Sequence, residues 1–323
     1  MKKGYSCHDG KYLNIVGENI TGLYEEPYIS FIEVINFCDI SAHRISLDYS
    51  VFKNLRQLTI RSYEPYTFPK EICYLPQLEF ISCNAKCLIP PEIGEMASLQ
   101  RLNLHGDCVS RIPKSIINAR AIKNLSLTCY SELNSCQMPG WITSLTQLEE
   151  LFLDRCNFLN IDTKINNLIN LRTLCIRGSL SAVNNFPELV NLKKLDRLEI
   201  TGSGLMKKRP SYSIFEMVKN GITKLNTLTL LSLSDWRFGK KEDNLIIDGK
   251  GRSLPDIFEF FPKLTVLDIN NMNIDFLPPS IFKLPVLRNI CTVGNNLSEE
   301  CLKHLLEAGF EFKNNYGWIN KNR

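Results

Sequence analysis

Long apolar runs are missing from this sequence of 323 residues. No stretch reaches the roughly 18 uncharged apolar residues that a membrane-spanning helix needs. Lys2 and Lys3 stand near the start, but no apolar segment of signal-peptide length follows them. We therefore expect a cytoplasmic protein without a membrane span. The alternative is a secreted effector that lacks a cleavable signal peptide.

A strong charge of either sign is also missing. The 38 Lys and Arg residues against 34 Asp and Glu residues leave a formal charge of +4, which is small for this length. Overall charge therefore gives no case for a nucleic-acid or membrane partner, and nucleic acid is not expected. The 44% hydrophobic and 22% charged content is that of a folded protein.

Groupings typical of catalytic or metal sites are scarce. Cys83 and Cys87 have no matching Cys or His pair at metal-ligand spacing. The run GKGRS at 249–253 lacks the full spacing of a phosphate-binding loop. The 12 cysteines are scattered, and the four histidines show no pairing with a cysteine. We expect reduced structural cysteines, no metal, no cofactor and no enzymatic activity.

What the sequence does contain is a short repeated pattern, most regular at 148–158, LEELFLDRCNF. Its apolar residues follow the spacing L-x-x-L-x-L-x-x-N/C-x-L. The period-two alternation predicts a short strand with Leu151 and Leu153 facing inward. One such strand cannot bury its apolar face alone, so neighbouring repeats are required.

The same spacing returns along most of the chain, at intervals near 23 residues. The first positions of the repeats are Gly10, Ile32, Leu55, Leu78, Leu99, Ile122, Leu148, Leu171, Leu195, Leu228, Leu264 and Leu287. Pro follows an apolar residue in the second half of many repeats, as at Ile112-Pro113. Because Pro fixes φ and cannot donate to a ladder, each unit is predicted to be a strand, a bend and a short helical or 3₁₀ segment.

The 23-residue period and the LPxxIxxLxxL linkers resemble the leucine-rich repeat superfamily, in particular the intracellular Ras-suppressor and plant disease-resistance type. The resemblance implies an α/β fold, a right-handed solenoid or horseshoe with a concave parallel β-sheet and short convex helical segments. We expect one domain over 1–323, with about twelve repeats over 10–297. A degraded cap repeat is expected at 1–31 and a helical cap at 298–323, N-capped by Ser298 and ended at Gly309. The apolar stripe of that helix is predicted to consist of Cys301, Leu302, Leu305 and Leu306.

One departure from the family pattern concerns the ninth position, where Asn is usual but appears only at Asn295. Since that side chain normally satisfies buried backbone groups, we expect less regular turns elsewhere.

The main functional hypothesis is a protein–protein interaction module or scaffold that binds a protein partner on the concave face. Mixed charges and an exposed aromatic residue are predicted there, most densely from Leu148 to Leu198. The candidate contact residues are Arg61, His105, Glu150, Phe152, Asp154, Arg155, Arg177, Arg197 and Glu199.

Two alternatives stay open. The first is phosphate or nucleic-acid binding through basic insertions at 205–215 and 237–253, in the two longest repeats. Their basic residues are Lys207, Lys208, Arg209, Lys240, Lys241, Lys250 and Arg252. The second is cysteine-based activity, because bacterial effectors can join leucine-rich repeats to ubiquitin-ligase domains. That resemblance implies a separate catalytic domain, whereas only some 25 residues follow the repeats.

Overall fold

The computed structural model describes residues 3–38, 46–62, 64–84, 87–106, 111–129, 137–156, 158–178, 186–202, 219, 221–235, 252–313 and 318–321. The chain divides into two compact units. The first unit comprises Met1–Ser131 with Pro139–Leu148, and the second comprises Glu132–Met138 with Glu149–Arg323.

In the first unit, six strands form a parallel ladder, and a seventh strand, β1, pairs antiparallel with β2 at its edge. The seven strands are β1 (Tyr5–His8), β2 (Tyr12–Ile15), β3 (Val34–Phe37), β4 (Gln57–Arg61), β6 (Phe80–Asn84), β8 (Arg101–His105) and β9 (Asn124–Thr128). A separate two-stranded parallel ladder joins β5 (Tyr66–Thr67) to β7 (Cys87–Leu88).

The second unit also contains six parallel strands. They are β10 (Glu150–Asp154), β11 (Thr173–Arg177), β12 (Arg197–Thr201), β13 (Leu230–Ser232), β14 (Val266–Asp268) and β15 (Asn289–Cys291). An antiparallel hairpin completes this ladder: β17 (Trp318–Lys321) pairs with β15, and β16 (Phe310–Lys313) pairs with β17.

The strands stack in step, so that equivalent apolar side chains form continuous buried rows. Leu151 lies opposite Leu174, which lies opposite Leu198. All three are fully buried. Every predicted repeat with a first position from Ile32 to Leu287 carries its strand two residues later. The fold class expected from the repeats, a stack of strand-and-bend units with short helical segments, is therefore confirmed.

Most of the predicted bends at proline lead directly into a helical segment, but Pro187 and Pro255 do not. A proline N-cap with φ between −61° and −74° precedes five helical segments. These are the 3₁₀ segments Lys70–Tyr74, Pro91–Glu95 and Lys114–Asn118, α1 (Gly140–Ser144) and α2 (Pro279–Phe282). Other 3₁₀ segments are Leu23–Glu25, Ile29–Phe31, Tyr49–Val51, Thr163–Asn167 and Phe258–Phe260.

The two ends of the described chain carry elements beyond the predicted caps. Asp9 and Gly10, with φ of 53° and 65°, form the turn between β1 and β2, a hairpin that the repeat pattern did not predict. Near the other end, Ser298 caps α3 (Glu299–Glu307) by accepting a hydrogen bond from the Cys301 N–H at 3.2 Å. Gly309 follows with φ of 82°.

The apolar stripe predicted for α3 is partly wrong. Cys301 and Leu305 are buried as expected, but Leu306 is mostly exposed. The helix packs one narrow edge inward, and Leu306 lies outside that edge. The described helices are at most nine residues long, and none of them has the length or apolar character to cross a bilayer.

Asn295 shows what the usual ninth-position side chain does. Its Oδ1 accepts the N–H groups of Met272 at 3.1 Å and Ile274 at 3.2 Å. Its Nδ2 donates to the carbonyls of Ile269 at 2.7 Å and Thr292 at 3.1 Å. One amide therefore ties the last parallel repeats together. Most of the departures from Asn at this position lie outside the described residues.

Replacing Asn295 by Ala should lower the free energy of unfolding by about 2–4 kcal/mol, because several backbone groups lose the hydrogen bonds that this amide makes with them. Urea unfolding followed by circular dichroism measures the change. Asn296→Ala is the matched control, since that amide makes one long contact at 3.5 Å with Asn273. Equal losses in the two variants would contradict this role of Asn295.

Leu151→Ala should cost about 2–5 kcal/mol in unfolding free energy, since it opens a cavity within the fully buried row. The matched control is Leu306→Ala, which removes the same atoms from a mostly exposed position. We expect that control to stay within roughly 0.5 kcal/mol of the parent chain. A similar small effect at Leu151 would show that the row is not the core.

Candidate functional site

The side of the sheet opposite the buried leucine rows is called the open face. In the second unit it carries one row formed by Phe152, Cys175 and Glu199, which lie opposite each other on β10, β11 and β12. Arg177 and Arg197 stand on the same face, because they lie an even number of positions from Cys175 and Glu199. Because side chains alternate along each strand, these five side chains lie together on the open face.

Glu199 is held between two arginines. Arg177 donates from Nε at 2.8 Å and from Nη2 at 2.5 Å to Oε2, and Arg197 donates from Nε at 2.8 Å and from Nη2 to Oε1. The side chain of Glu199 is 8% exposed, whereas those of Arg177 and Arg197 are 48% and 45% exposed. We call these three residues the arginine clamp.

The charges of the arginine clamp stabilise each other. Burial raises the pKa of Glu199, but the hydrogen bonds from Arg197 and Arg177 outweigh it, so that its pKa lies below the ordinary 4.5. The pKa of Arg197 is raised, first by its hydrogen bond to Glu199. All three groups are therefore charged at neutral pH, and the carboxylate is compensated by two cations.

Glu199 was predicted as an exposed contact residue, and the structure places it under the two guanidinium groups instead. Cys175 lies on an outward-facing position of β11 and is buried as well. Burial and then the nearby Glu199 raise the pKa of Cys175 to about 12. A thiol with such a pKa is a poor nucleophile. Burial has the same effect on Cys73 and Cys291.

The other predicted residues of the second unit border the arginine clamp. Phe152, Asp154 and Glu150 are half-buried on β10. Arg155, at the end of β10, has φ of 54° and donates its backbone N–H to the carbonyl of Arg177 at 2.7 Å. Its Nε lies 4.0 Å from Asp154 Oδ1. The end of β10 thus adds one charge of each sign beside the clamp.

The candidates of the first unit are a separate group. Arg61 is exposed at the end of β4, and His105 is half-buried at the end of β8. Phe80 is not among the predicted residues, and its ring lies 5.5 Å from the guanidinium carbon of Arg101. The two face each other on adjacent strands, and their equal repeat positions were the signal that could have identified the pair.

Of the predicted basic insertions, only Arg252 lies within the described residues. Its Nε and Nη2 donate to the two carboxylate oxygens of Asp275 at 3.0 and 2.8 Å. That charge is therefore compensated. Lys207, Lys208, Arg209, Lys240, Lys241 and Lys250 lie outside the described part of the chain.

The chemistry that this surface offers is recognition by charged groups and an aromatic ring held in fixed positions. Across the described ranges, no group of three or more His, Cys, Asp or Glu side chains is arranged to hold a metal ion. None of the ten described cysteines forms a disulfide.

The stability contributed by Glu199 should depend on pH. Because its pKa is lower in the folded chain than the ordinary 4.5, the contribution is present above that pH and is lost as the pH falls through the lower folded value. Glu199→Gln should therefore be destabilised relative to the parent at pH 7, and the difference should shrink below pH 4.5. Urea unfolding at pH 7 to 3 tests this, and a constant difference would contradict it.

Comparisons with known proteins agree with this architecture. Residues 35–242 match a family model described as a leucine-rich repeat region. A comparison with curated proteins gives no match. An internalin (inlF) from Listeria monocytogenes aligns with a TM-score of 0.50 and 17% identity, over 90% of this chain and 82% of the internalin chain.

The structure of a TLR13–ssRNA13 complex aligns with a TM-score of 0.60 and 18% identity, over 86% of this chain but 38% of the matched chain. At these identities both likenesses concern the fold alone. The family match covers more than half of the sequence. The chain belongs to the leucine-rich repeat family.

Proposed function

We propose that the chain is a protein-interaction module or scaffold that binds a protein partner through the open face of its second unit. The single observation that carries the proposal is the arginine clamp beside the half-buried ring of Phe152. Arginine and aromatic side chains are enriched in the parts of interfaces that contribute most binding energy.

The geometry favours binding because the arginine side chains are already ordered. An arginine normally loses much rotamer freedom when a partner immobilises it. Arg177 and Arg197 are fixed by two donors each on a carboxylate that is itself only 8% exposed. A partner that docks on them therefore meets a smaller entropic penalty. The parallel strands beneath hold both arginines in register.

The charge balance favours protein over nucleic acid as the partner. Asp154 and Glu199 offset two of the three arginines at 155, 177 and 197, whereas a nucleic-acid surface concentrates uncompensated positive charge. Arg252 is compensated by Asp275. The ssRNA of the TLR13 structure belongs to that complex, and this surface gives no support for an equivalent ligand.

The proposal contains no catalytic step. The raised pKa values of Cys73, Cys175 and Cys291 support that choice, since these thiols are buried and protonated at neutral pH. A cytoplasmic location is part of the proposal. The lack of disulfides among the described cysteines supports it, because reducing compartments keep thiols reduced.

Combining Phe152→Ser with Asp154→Lys should reduce partner recovery in a quantitative pull-down by about tenfold, because loss of an interface aromatic residue alone costs on the order of 1–2 kcal/mol. Both side chains are on the open face and outside the arginine clamp, so the fold should persist. The matched control combines Ile169→Ser with Lys164→Glu, at exposed positions in and beside the 3₁₀ segment. Equal recovery with both variants would reject the open face as the docking site.

A further inference from the structure

Resting on the proposed docking site, we infer that the arginine clamp recognises the carboxylate of an Asp or Glu side chain in the partner protein. The same partner segment places an apolar side chain against Phe152. Glu199 then pairs with the inner edge of the guanidinium groups, and the carboxylate of the partner binds at their outer edge.

The outer part of the Arg197 guanidinium group supplies the donors. A guanidinium carries five N–H groups in one plane. Arg197 directs two of its nitrogens, Nε and Nη2, at Glu199, and its side chain is 45% exposed. The three N–H groups that do not point at Glu199 form the outer edge of the planar guanidinium. Since Glu199 fixes the plane, that edge is presented in a defined direction for a two-pronged contact with a carboxylate.

The local charge fits a singly charged ligand. The arginine clamp itself, Arg177 and Arg197 against Glu199, leaves one positive charge, and Asp154 and Glu150 stand beside it on the same face. A carboxylate neutralises one charge. A phosphate group carries about −1.5 to −2 at neutral pH and would meet repulsion from the acidic side chains already present. A carboxylate is therefore the preferred anion.

The spacing of the sheet predicts where the apolar contact lies. Phe152 and Glu199 are in one row, two strands apart, with Cys175 between them. Adjacent strands are about 4.8 Å apart, so the ring and the clamp centre are separated by roughly 10 Å. In an extended peptide, residues two or four positions apart share a face, and their side chains are about 7 or 13 Å apart, on either side of this distance. The matching segment therefore has its apolar residue two or four positions from its acidic residue.

A displayed library of random 12-residue peptides, selected on the immobilised full chain, tests the inference without knowledge of the natural partner. We expect enrichment of Asp or Glu two or four positions from an apolar or aromatic residue. The strongest peptide, made synthetically with both ends blocked, should bind the parent chain about tenfold more tightly than the same peptide with Gln or Asn in place of its acid. Absence of acidic enrichment, or equal binding of the neutral peptide, would overturn the inference.

Two variants locate the contact. The double variant Arg177→Lys, Arg197→Lys keeps both charges but removes the planar donor pairs. It should bind the acidic peptide several-fold more weakly than the parent chain does, although the net charge is unchanged. The combination Arg177→Met, Glu199→Gln and Arg197→Met removes the buried carboxylate together with its partners, so no unpaired charge remains to unfold the chain. It should abolish the preference for the acidic over the neutral peptide. Persistence of that preference would place the contact elsewhere and contradict the inference.

A separate experiment tests whether the arginine clamp prefers a phosphate group to a carboxylate. A peptide with phosphoserine in place of the acidic residue should bind the parent chain more weakly than the acidic peptide. Glu199 positions the two arginines, and Glu199→Gln adds one net positive charge to the surface. This variant should therefore bind the phosphopeptide more tightly than the acidic peptide. Tighter binding of the phosphopeptide to the parent would overturn the choice of a carboxylate.

The two proposals fail in distinguishable ways. If partner recovery depends on Phe152 and Asp154 while no acidic peptide is selected, the docking surface stands and the carboxylate inference is rejected. If the substitutions at Phe152 and Asp154 leave partner recovery unchanged, the docking proposal is rejected as well. Acidic peptides that still require the clamp would then show a site for carboxylates that the captured partner does not use.

Discussion

Each strand of this protein can bury its apolar face only against equivalent residues of its neighbours. Leu174 lies between Leu151 and Leu198, and all three are fully buried. This lateral stacking fixes the register of β10, β11 and β12. Since side chains alternate across a strand, the same register determines which outward residues meet on the open face.

The arginine clamp is a consequence of that register. Cys175 lies opposite Glu199, which brings Arg177 from one strand and Arg197 from the next to the same carboxylate. A buried carboxylate without partners would be strongly destabilising, and two half-exposed arginines without an anchor would be mobile. Together they form a rigid, partly compensated surface. Packing in the core and the arrangement of charges on the open face are therefore linked through one set of strands.

Much of the fold could be predicted because its signals are local. The apolar spacing located the parallel strands, proline marked the bends before Lys70 and Lys114, and Ser298 marked the start of α3. The outer hairpins were missed, because β1 and β16 follow no repeat. Leu306 was wrongly assigned to the buried stripe, because periodicity alone does not show how much of a helix face the rest of the chain covers.

The candidate site was predictable only in part. The sequence identified Phe152, Asp154, Arg177, Arg197 and Glu199 as outward residues of neighbouring strands. It did not predict that Glu199 is buried by the two arginines, because Arg177 is 22 positions away in the sequence and because both contacts depend on how the long side chains are placed. Cys175 was missed for the same reason: its burial comes from its neighbours on the face, whereas its own repeat position faces outward.

The most direct test of the account is site-specific photo-crosslinking, with benzoylphenylalanine in place of Phe152 in one chain and of Ile169 in another. Both natural side chains are apolar, one beside the arginine clamp and the other exposed after the 3₁₀ segment Thr163–Asn167. The account predicts that the partner is crosslinked from position 152 and not from position 169. Crosslinking from position 169 alone would contradict it.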